Sequence, residues 1–312
     1  MNNVQKNFVM MVALSTLATV AGCGGGSSSG GSSPDRGGDD DPQNVVPAFT
    51  VLQGNDANRK SSPLLSLNPG GPGAATNQSL RAGDILQAAR DIDTLMIGAL
   101  GVDVLVGNDG NDIMIGGTED FNSSVDGDNL GSDNRDRAFG NAGDDVFIWT
   151  PGDGSDFFDG GDGVDVLVLG LLGEDQDNDG NTEGAPFFNV SPGAGSQNFD
   201  GIFLDTDNKP IINVSGSPGF CTVLPAADDP EVFEALNLDH LVRFSLRGVA
   251  NAFDQGLRTD DDGLRVAIST RNVEYLVCTD RETGISVLDL TTTPATVVDL
   301  SQIPDYVASM IQ

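Results

Sequence analysis

A nine-residue period constrains the fold of this chain more than any single motif does. Between residues 98 and 168 the sequence falls into units that carry Asp at the sixth position and mainly apolar residues at the last three. The full units are 98–106 GALGVDVLV, 107–115 GNDGNDIMI, 131–139 GSDNRDRAF, 140–148 GNAGDDVFI, 151–159 PGDGSDFFD and 160–168 GGDGVDVLV. Six units in one phase indicate a stacked repeat.

Each unit predicts a turn followed by a short strand. Glycine, which recurs at the first and fourth positions, permits a tight or left-handed backbone. The β-branched and aliphatic residues that end the units favour a strand. Because side chains alternate between the two faces of a strand, the middle one of the three should point inward.

Stacking of the units would place the sixth-position carboxylates in rows. At strand spacings of roughly 5 Å, like charges repel by energies on the kcal scale unless a cation neutralises them. A hard dication with oxygen ligands would do so, and calcium takes about six to eight oxygens from carboxylates and carbonyls. The sequence therefore predicts several bound Ca²⁺ ions.

The units GGDGVDVLV and GNDGNDIMI closely resemble the repeat of RTX (haemolysin-type) calcium-binding proteins, G-G-x-G-x-D-x-U-x. The resemblance covers residues 91–170, with a degenerate start near Gly83–Leu86. It implies a parallel β-roll with calcium between turns two units apart, held by the sixth-position Asp and by turn carbonyls. The metal candidates are Asp103, Asp109, Asp112, Asp136, Asp145, Asp153, Asp156, Asp162, Asp165, Gly107, Gly140 and Gly160.

Some units depart from the pattern. Ala99 and Leu100 replace a Gly and a polar residue, residues 119–130 interrupt the third unit, and Asn134 replaces the second key Gly of the fourth. For each Asp the alternative is a solvated turn residue, and that alternative is strongest for Asp136.

A different acidic loop follows at 175–183, DQDNDGNTE. Asp175, Asp177 and Asp179 occupy positions 1, 3 and 5 of an EF-hand-like loop, but Pro186 stands where the bidentate Glu belongs. A complete EF-hand is not expected. An isolated calcium loop and a plain acidic turn both remain open.

The N-terminus predicts export and lipid anchoring. Residues 1–22 read as a signal peptide with Lys6 and a short apolar run. The run ends Val-Ala-Gly before Cys23, which resembles the bacterial lipobox and implies a lipidated Cys23 in the outer membrane. Residues 23–46 form a flexible Gly/Ser/Asp tether.

The remaining chain predicts an all-β architecture. Residues 47–90 lead into the roll, and 171–312 read as a β-rich C-terminal domain with one minor helix over about 230–240, capped by Asp229. In an exported protein, Cys221 and Cys278 suggest a disulfide, with two buried thiols as the alternative. His240 is interpreted as structural.

Charge and motifs narrow the function. A net charge of −32, with 40 Asp against 7 Glu, disfavours nucleic-acid binding. The sequence contains no HExxH or GxSxG motif and only one His, so a serine triad or His-rich metal enzyme is not expected. We predict a calcium-binding envelope lipoprotein with a structural, adhesive or surface-binding role toward a glycan or protein. The alternatives are a glycan-processing hydrolase in the C-terminal half and a toxin-like RTX protein of the type I route.

Overall fold

The computed structural model describes residues 48–54, 82–98, 102–117, 135–150, 153–172, 197–199, 202–227, 229–257, 266–281 and 284–312, all within one compact unit that spans 45–312. The predicted signal peptide, Cys23, the tether and the loop with Asp175, Asp177 and Asp179 lie outside the described residues.

The described residues form nineteen strands and three α-helices. The strands are β1 (Thr50–Gln53), β2 (Ala82–Gln87), β3 (Thr94–Ile97), β4 (Val102–Val106), β5 (Ile113–Ile115), β6 (Arg137–Ala142), β7 (Val146–Trp149), β8 (Phe157–Asp162), β9 (Val166–Leu169), β10 (Leu171–Leu172), β11 (Gln197–Phe199), β12 (Ile202–Leu204), β13 (Ile212–Asn213), β14 (Gly219–Pro225), β15 (His240–Leu246), β16 (Val266–Arg271), β17 (Tyr275–Cys278), β18 (Ser286–Asp289) and β19 (Thr296–Val298). The helices are α1 (Pro230–Leu236), α2 (Arg247–Asp254) and α3 (Asp305–Met310). The chain is thus β-rich, as expected.

Consecutive strands from β2 to β9 alternate between two sheets. Sheet A has the order β1-β3-β5-β7-β9-β17-β18-β19, and sheet B has the order β14-β15-β16-β8-β6-β4-β2. All pairings among β1–β9 within these sheets are parallel. Two successive units therefore make one coil, and each unit stacks on the unit two places further along the chain.

The register follows the nine-residue period. In sheet A, the seventh-position residue Ile113 pairs with Val146, which pairs with Val166. In sheet B, Val104 pairs with Arg137 and Arg137 with Phe157. The pairing keeps the phase of the period on both sides of residues 118–134, which lie between β5 and β6 in the chain and include the predicted insertion.

The core confirms that the middle residue of each strand points inward. Leu105, Ala138 and Phe158 from sheet B pack in one buried cluster with Phe147 and Leu167 from sheet A. The flanking residues of the sheet A strands form a second cluster on the outer face of that sheet. Residues of β12, β13 and α3 cover this outer face, so sheet A is buried on both sides.

The C-terminal part does not separate from the repeats at residue 170. Strand β16 pairs in parallel with β8, and β17 pairs in parallel with β9. The antiparallel strands β14, β15, β18 and β19 then extend the two sheets. The physical reason is that β8 and β9 would otherwise leave open parallel edges, and the later strands pair with them.

The helices are short. Helix α1 begins at Pro230 as expected, but the predicted side-chain cap is wrong, because Asp229 makes no cap hydrogen bond with its side chain and instead accepts the Phe233 N–H with its carbonyl. His240 begins β15 rather than ending a helix. Among the described residues no helix has the length and apolar character needed to cross a membrane.

Candidate metal centre

The sixth-position residues form two rows, one at each junction between the sheets. Row 1 lies where the chain passes from sheet B to sheet A, and row 2 lies where it returns. Row 1 contains Thr94, Asp112, Asp145, Asp165 and Glu274, and row 2 contains Asp84, Asp103, Asp136 and Asp156. In both rows each residue directly precedes a strand or lies just inside its start.

Backbone hydrogen bonds connect the residues of each row. In row 1, Thr94 N–H donates to Asp112 Oδ1 at 2.9 Å, Asp112 N–H to Asp145 Oδ1 at 2.7 Å, and Asp145 N–H to Asp165 Oδ1 at 2.8 Å. In row 2, Asp103 N–H donates to Asp136 Oδ1 at 2.6 Å and Asp136 N–H to Asp156 Oδ1 at 2.8 Å. One oxygen of each of these carboxylates therefore holds two coils in register.

The other carboxylate oxygen is left over in several of these residues. Oδ2 of Asp145, Asp156 and Asp165 is buried and has no hydrogen-bond partner among the described residues. The side chains are 0, 3 and 0 % exposed. A buried charged oxygen without a partner carries a large desolvation cost, so each calls for a compensating group.

Glycine allows a carbonyl oxygen to approach the Oδ2 atoms of row 1. A Cβ added to Gly140 would lie within 3.0 Å of both Asp145 Oδ2 and the carbonyl oxygen of Gly160 in the next coil. Gly107 has the same relation to Asp112 Oδ2 and the Gly140 carbonyl. In row 1 a carboxylate oxygen and a carbonyl oxygen from successive coils thus face one small space, which any side chain would fill.

Row 2 shows the same arrangement, except that at Gly116 a carboxylate oxygen takes the place of the carbonyl oxygen. A Cβ on Gly98 would lie within 3.0 Å of the Gly116 carbonyl and of Asp103 Oδ2. At Gly116 the nearest atoms are instead carboxylate oxygens of Asp136 and Asp153. One carboxylate oxygen from each of Asp136, Asp153 and Asp156 lies within 4.8 Å of the other two, and all three residues are buried.

Burial raises the pKa of these carboxyls. It raises the pKa of Asp145 to about 9, that of Asp165 to about 7 and that of Asp112 to about 6. Burial also raises the pKa of Asp136 and of Asp156, and for Asp136 the charges of its row neighbours add to the effect. Without a cation, the fold therefore favours neutral carboxyls in both rows.

The donor set fits a hard cation. All the candidate ligand atoms are carboxylate or carbonyl oxygens, which suit Ca²⁺ or Mg²⁺ rather than metals that prefer sulfur or imidazole. A bound dication would also satisfy the leftover carboxylate oxygens and favour their ionised form.

The third-position candidates divide between buried and exposed. Asp153 is buried beside Asp136 and Asp156 of row 2. Asp162 is exposed, and exposed Asp109 approaches Arg90 at 3.8 Å in an ion pair. These two lie at the surface of their turns, where water screens their charge.

Sequence reasoning missed a second ladder at the fifth position. Asn111 N–H donates to Asp93 Oδ1 at 2.9 Å, Asp144 N–H to Asn111 Oδ1 at 2.8 Å, and Val164 N–H to Asp144 Oδ1 at 2.9 Å. Here the later coil donates to the earlier one, opposite to the sixth-position ladder. The sequence did carry a signal for this ladder. The three acceptors, Asp93, Asn111 and Asp144, each directly precede a sixth-position residue of row 1, so the nine-residue period already aligned them.

The carboxylate spacing is relevant to the alternative of a glycosidase. Such enzymes place two carboxyl groups about 5–10 Å apart across a sugar. A cavity of about 350 Å³ does include Asp136, Asp156 and Phe157 in its wall. One oxygen each of Asp136, Asp153 and Asp156 converge within 4.8 Å, and a cluster of three carboxylates is an arrangement suited to holding a cation.

The two later cysteines connect the sheets. Cys221 on β14 of sheet B and Cys278 on β17 of sheet A are joined as a disulfide, with Cα atoms 6.3 Å apart. That separation lies within the usual disulfide range of about 4.4–6.8 Å.

No protein-family model, curated protein or solved structure matches this chain.

Proposed function

We propose that this protein binds several Ca²⁺ ions between the coils of a parallel β-roll, and that these ions fold and stiffen it. The observation that carries the proposal is the buried, unpartnered Oδ2 of Asp145, which faces the Gly160 carbonyl of the next coil. Oδ2 of Asp165 and Oδ2 of Asp156 are likewise buried without a hydrogen-bond partner among the described residues. The alternation of β2–β9 between two parallel sheets supports the roll.

Electrostatics supports a role for the ions in folding. Neighbouring carboxylates of one row belong to adjacent coils, about 5 Å apart, so an ionised pair would repel by on the order of 3 kcal/mol at an effective dielectric constant of about 20. Each bound calcium offsets two negative charges of a chain whose net charge is −32. Metal binding and folding should therefore be linked.

The biological role that we propose is that of an exported outer-membrane lipoprotein with a structural, adhesive or surface-binding task. The sequence of residues 1–46 supports it, through the signal-like run and Cys23. Weak affinity, on the order of 0.1–1 mM, is expected for an extracellular calcium module. The partner would be a surface glycan or another protein.

Calcium titration of the full chain tests the proposal. Isothermal calorimetry in calcium-free buffer should reveal several weak sites, and magnesium at equal concentration should compete poorly, because Mg²⁺ dehydrates reluctantly. Absence of heat and of bound ions at millimolar calcium would refute the proposal. Mass analysis of the mature N-terminus tests the anchor separately, and an intact Met1 would exclude lipidation of Cys23.

A further inference from the structure

The chain adds one coil after the nine-residue period has ended. Strand β16 pairs with β8 and β17 pairs with β9, both in parallel, as earlier coils pair with each other. Arg271 lies opposite Asp159, and Tyr275 lies opposite Val166. Three residues, 272–274, therefore join the paired positions that six residues, 160–165, join in the preceding coil, and 266–278 form a shortened coil.

Glu274 takes the sixth-position place in this coil. It directly precedes β17, as Asp165 precedes β9, and the Asp165 N–H donates to Glu274 Oε2 at 2.8 Å. This bond continues row 1 beyond the repeats, since Asp145 N–H donates to Asp165 in the same way. Glu274 is separated from Asp165 by 109 residues.

Asn272 supplies the carbonyl that glycine supplies in the earlier coils. Its φ of 50° lies in the left-handed region, which Asn tolerates better than most residues. Its N–H donates to Asp239 Oδ2 at 2.8 Å, and its side-chain amide donates to Asp159 Oδ1 at 2.9 Å. With the backbone held in this way, a Cβ on Gly160 would lie within 3.0 Å of the Asn272 carbonyl oxygen.

Asp165 gives the independent indication that a ligand belongs here. Its side chain is 0 % exposed, and its Oδ2 has no hydrogen-bond partner among the described residues. A Cβ on Gly160 would also lie within 3.0 Å of this oxygen. The leftover carboxylate oxygen and the Asn272 carbonyl therefore face the same space, beside the Glu274 carboxylate that accepts from the Asp165 backbone.

The geometry points to a calcium site at this last junction, formed by Asp165, the Asn272 carbonyl and Glu274, which holds the C-terminal segment to the end of the repeats. The inference rests on the proposed calcium-binding function and extends it to residues outside the repeat. Calcium would then stabilise the pairing of β17 with β9, so that loading of the repeats also fixes the segment that extends both sheets.

Ion counting with Glu274→Gln tests the site. The glutamine oxygen can still accept the Asp165 N–H, so the substitution removes charge and keeps the hydrogen bond. Native mass spectrometry of the full chain with Ca²⁺ should show one ion fewer than the wild type. The control is Glu231→Gln, which alters an exposed carboxylate on α1 and should leave the count unchanged. An unchanged count in Glu274→Gln would overturn the inference.

Hydrogen exchange of the wild type gives a second measurement that does not depend on how the variant folds. Added Ca²⁺ should slow exchange in peptides that cover 272–278 as well as in those that cover 140–168. Protection confined to 140–168 would overturn this site and leave the proposed function intact. A wild type that binds no calcium would instead refute the function on which the site depends.

Discussion

The backbone N–H of Asp145 donates a hydrogen bond of 2.8 Å to Oδ1 of Asp165, one coil further along the stack. The same contact joins Asp112 to Asp145. Asp145 and Asp165 each use one oxygen to fix the register of a neighbouring coil, and the other oxygen is buried with no hydrogen-bond partner among the described residues. The proposed function assigns that second oxygen to calcium, so one side chain would serve both register and ion binding.

Gly140→Ala should weaken both the fold and the calcium site. The added methyl would lie within 3.0 Å of Asp145 Oδ2 and of the Gly160 carbonyl, so one of them must move. Overpacking of this kind costs about 1–3 kcal/mol of unfolding free energy, which urea unfolding in saturating calcium would measure. The matched control is Gly248→Ala in α2, where an added Cβ has nothing within 4 Å. The control should raise the unfolding free energy by up to about 1 kcal/mol. Equal effects of the two variants would contradict the close approach of the Asp145 and Gly160 oxygens to Gly140.

Asp145→Asn should separate the two roles of this carboxylate. Asparagine can still accept the Asp112 N–H, but it has no charge to bury. We expect the variant to be more stable than the wild type in EGTA and to gain less stability from calcium. Asp91→Asn is the control, because Asp91 is exposed with φ of 55°, a conformation that Asn also adopts. Unfolding curves in EGTA and in calcium give the stability of each variant without the ion and the increase that calcium causes. If calcium stabilises Asp145→Asn as much as the wild type, Asp145 is not a ligand.

The calcium-free protein should lose stability as pH rises. Burial raises the folded-state pKa of Asp145 from 3.8 to about 9 and that of Asp165 to about 7. Between pH of about 4 and these raised values the folded state binds more protons than the unfolded state, so the contribution of these two carboxyls to stability is fully present below about pH 4 and is lost as pH rises through about 7 and 9. Urea midpoints in EGTA at several pH values would measure this slope. Asp145→Asn should flatten its upper part, and a calcium-free protein that gains stability over this range would contradict the account.

Terbium should be a luminescent probe of row 1. The chain has two tyrosines, Tyr275 and Tyr306. Tyr275 follows Glu274, and the Tyr306 hydroxyl donates to the Asp144 carbonyl. Asp144 directly precedes Asp145, so this contact puts the Tyr306 hydroxyl beside row 1. Tb³⁺ bound in place of calcium should emit on tyrosine excitation, Tyr306→Phe should reduce the emission, and calcium should displace it. Emission that calcium leaves unchanged would indicate binding elsewhere.

Much of the repeat region could be predicted from the nine-residue pattern. The period gave the position of β4–β9 and the inward middle residue, because apolar triplets with a fixed separation can pack only when the units stack in phase. Thr94 shows the limit of that pattern. It occupies a sixth position and donates its backbone N–H to Asp112 Oδ1. Because Thr94 is the first residue of row 1, only its N–H takes part in the ladder, and no carboxylate is needed there.

Glu274 could not be predicted in the same way. Its coil has a three-residue turn in place of six, so the period is broken, and its partner Asp165 is 109 residues away. Only the pairing of β16 and β17 with the open edges of β8 and β9 brings them together. Edge pairing over such a distance depends on tertiary packing, which local sequence patterns do not encode.

Unfolding of the full chain with calcium and with EGTA tests the central claim most directly. Trp149 is the only tryptophan, is buried between the sheets, and has its ring 4.8 Å from that of Phe244, so its fluorescence reports on the packed coils. Calcium at about 10 mM should raise the urea midpoint, because a ligand that binds only the folded state adds about 1.4–2.7 kcal/mol per site at about 10–100 times a dissociation constant on the order of 0.1–1 mM. Identical midpoints in calcium and in EGTA would contradict the claim that calcium stabilises this fold.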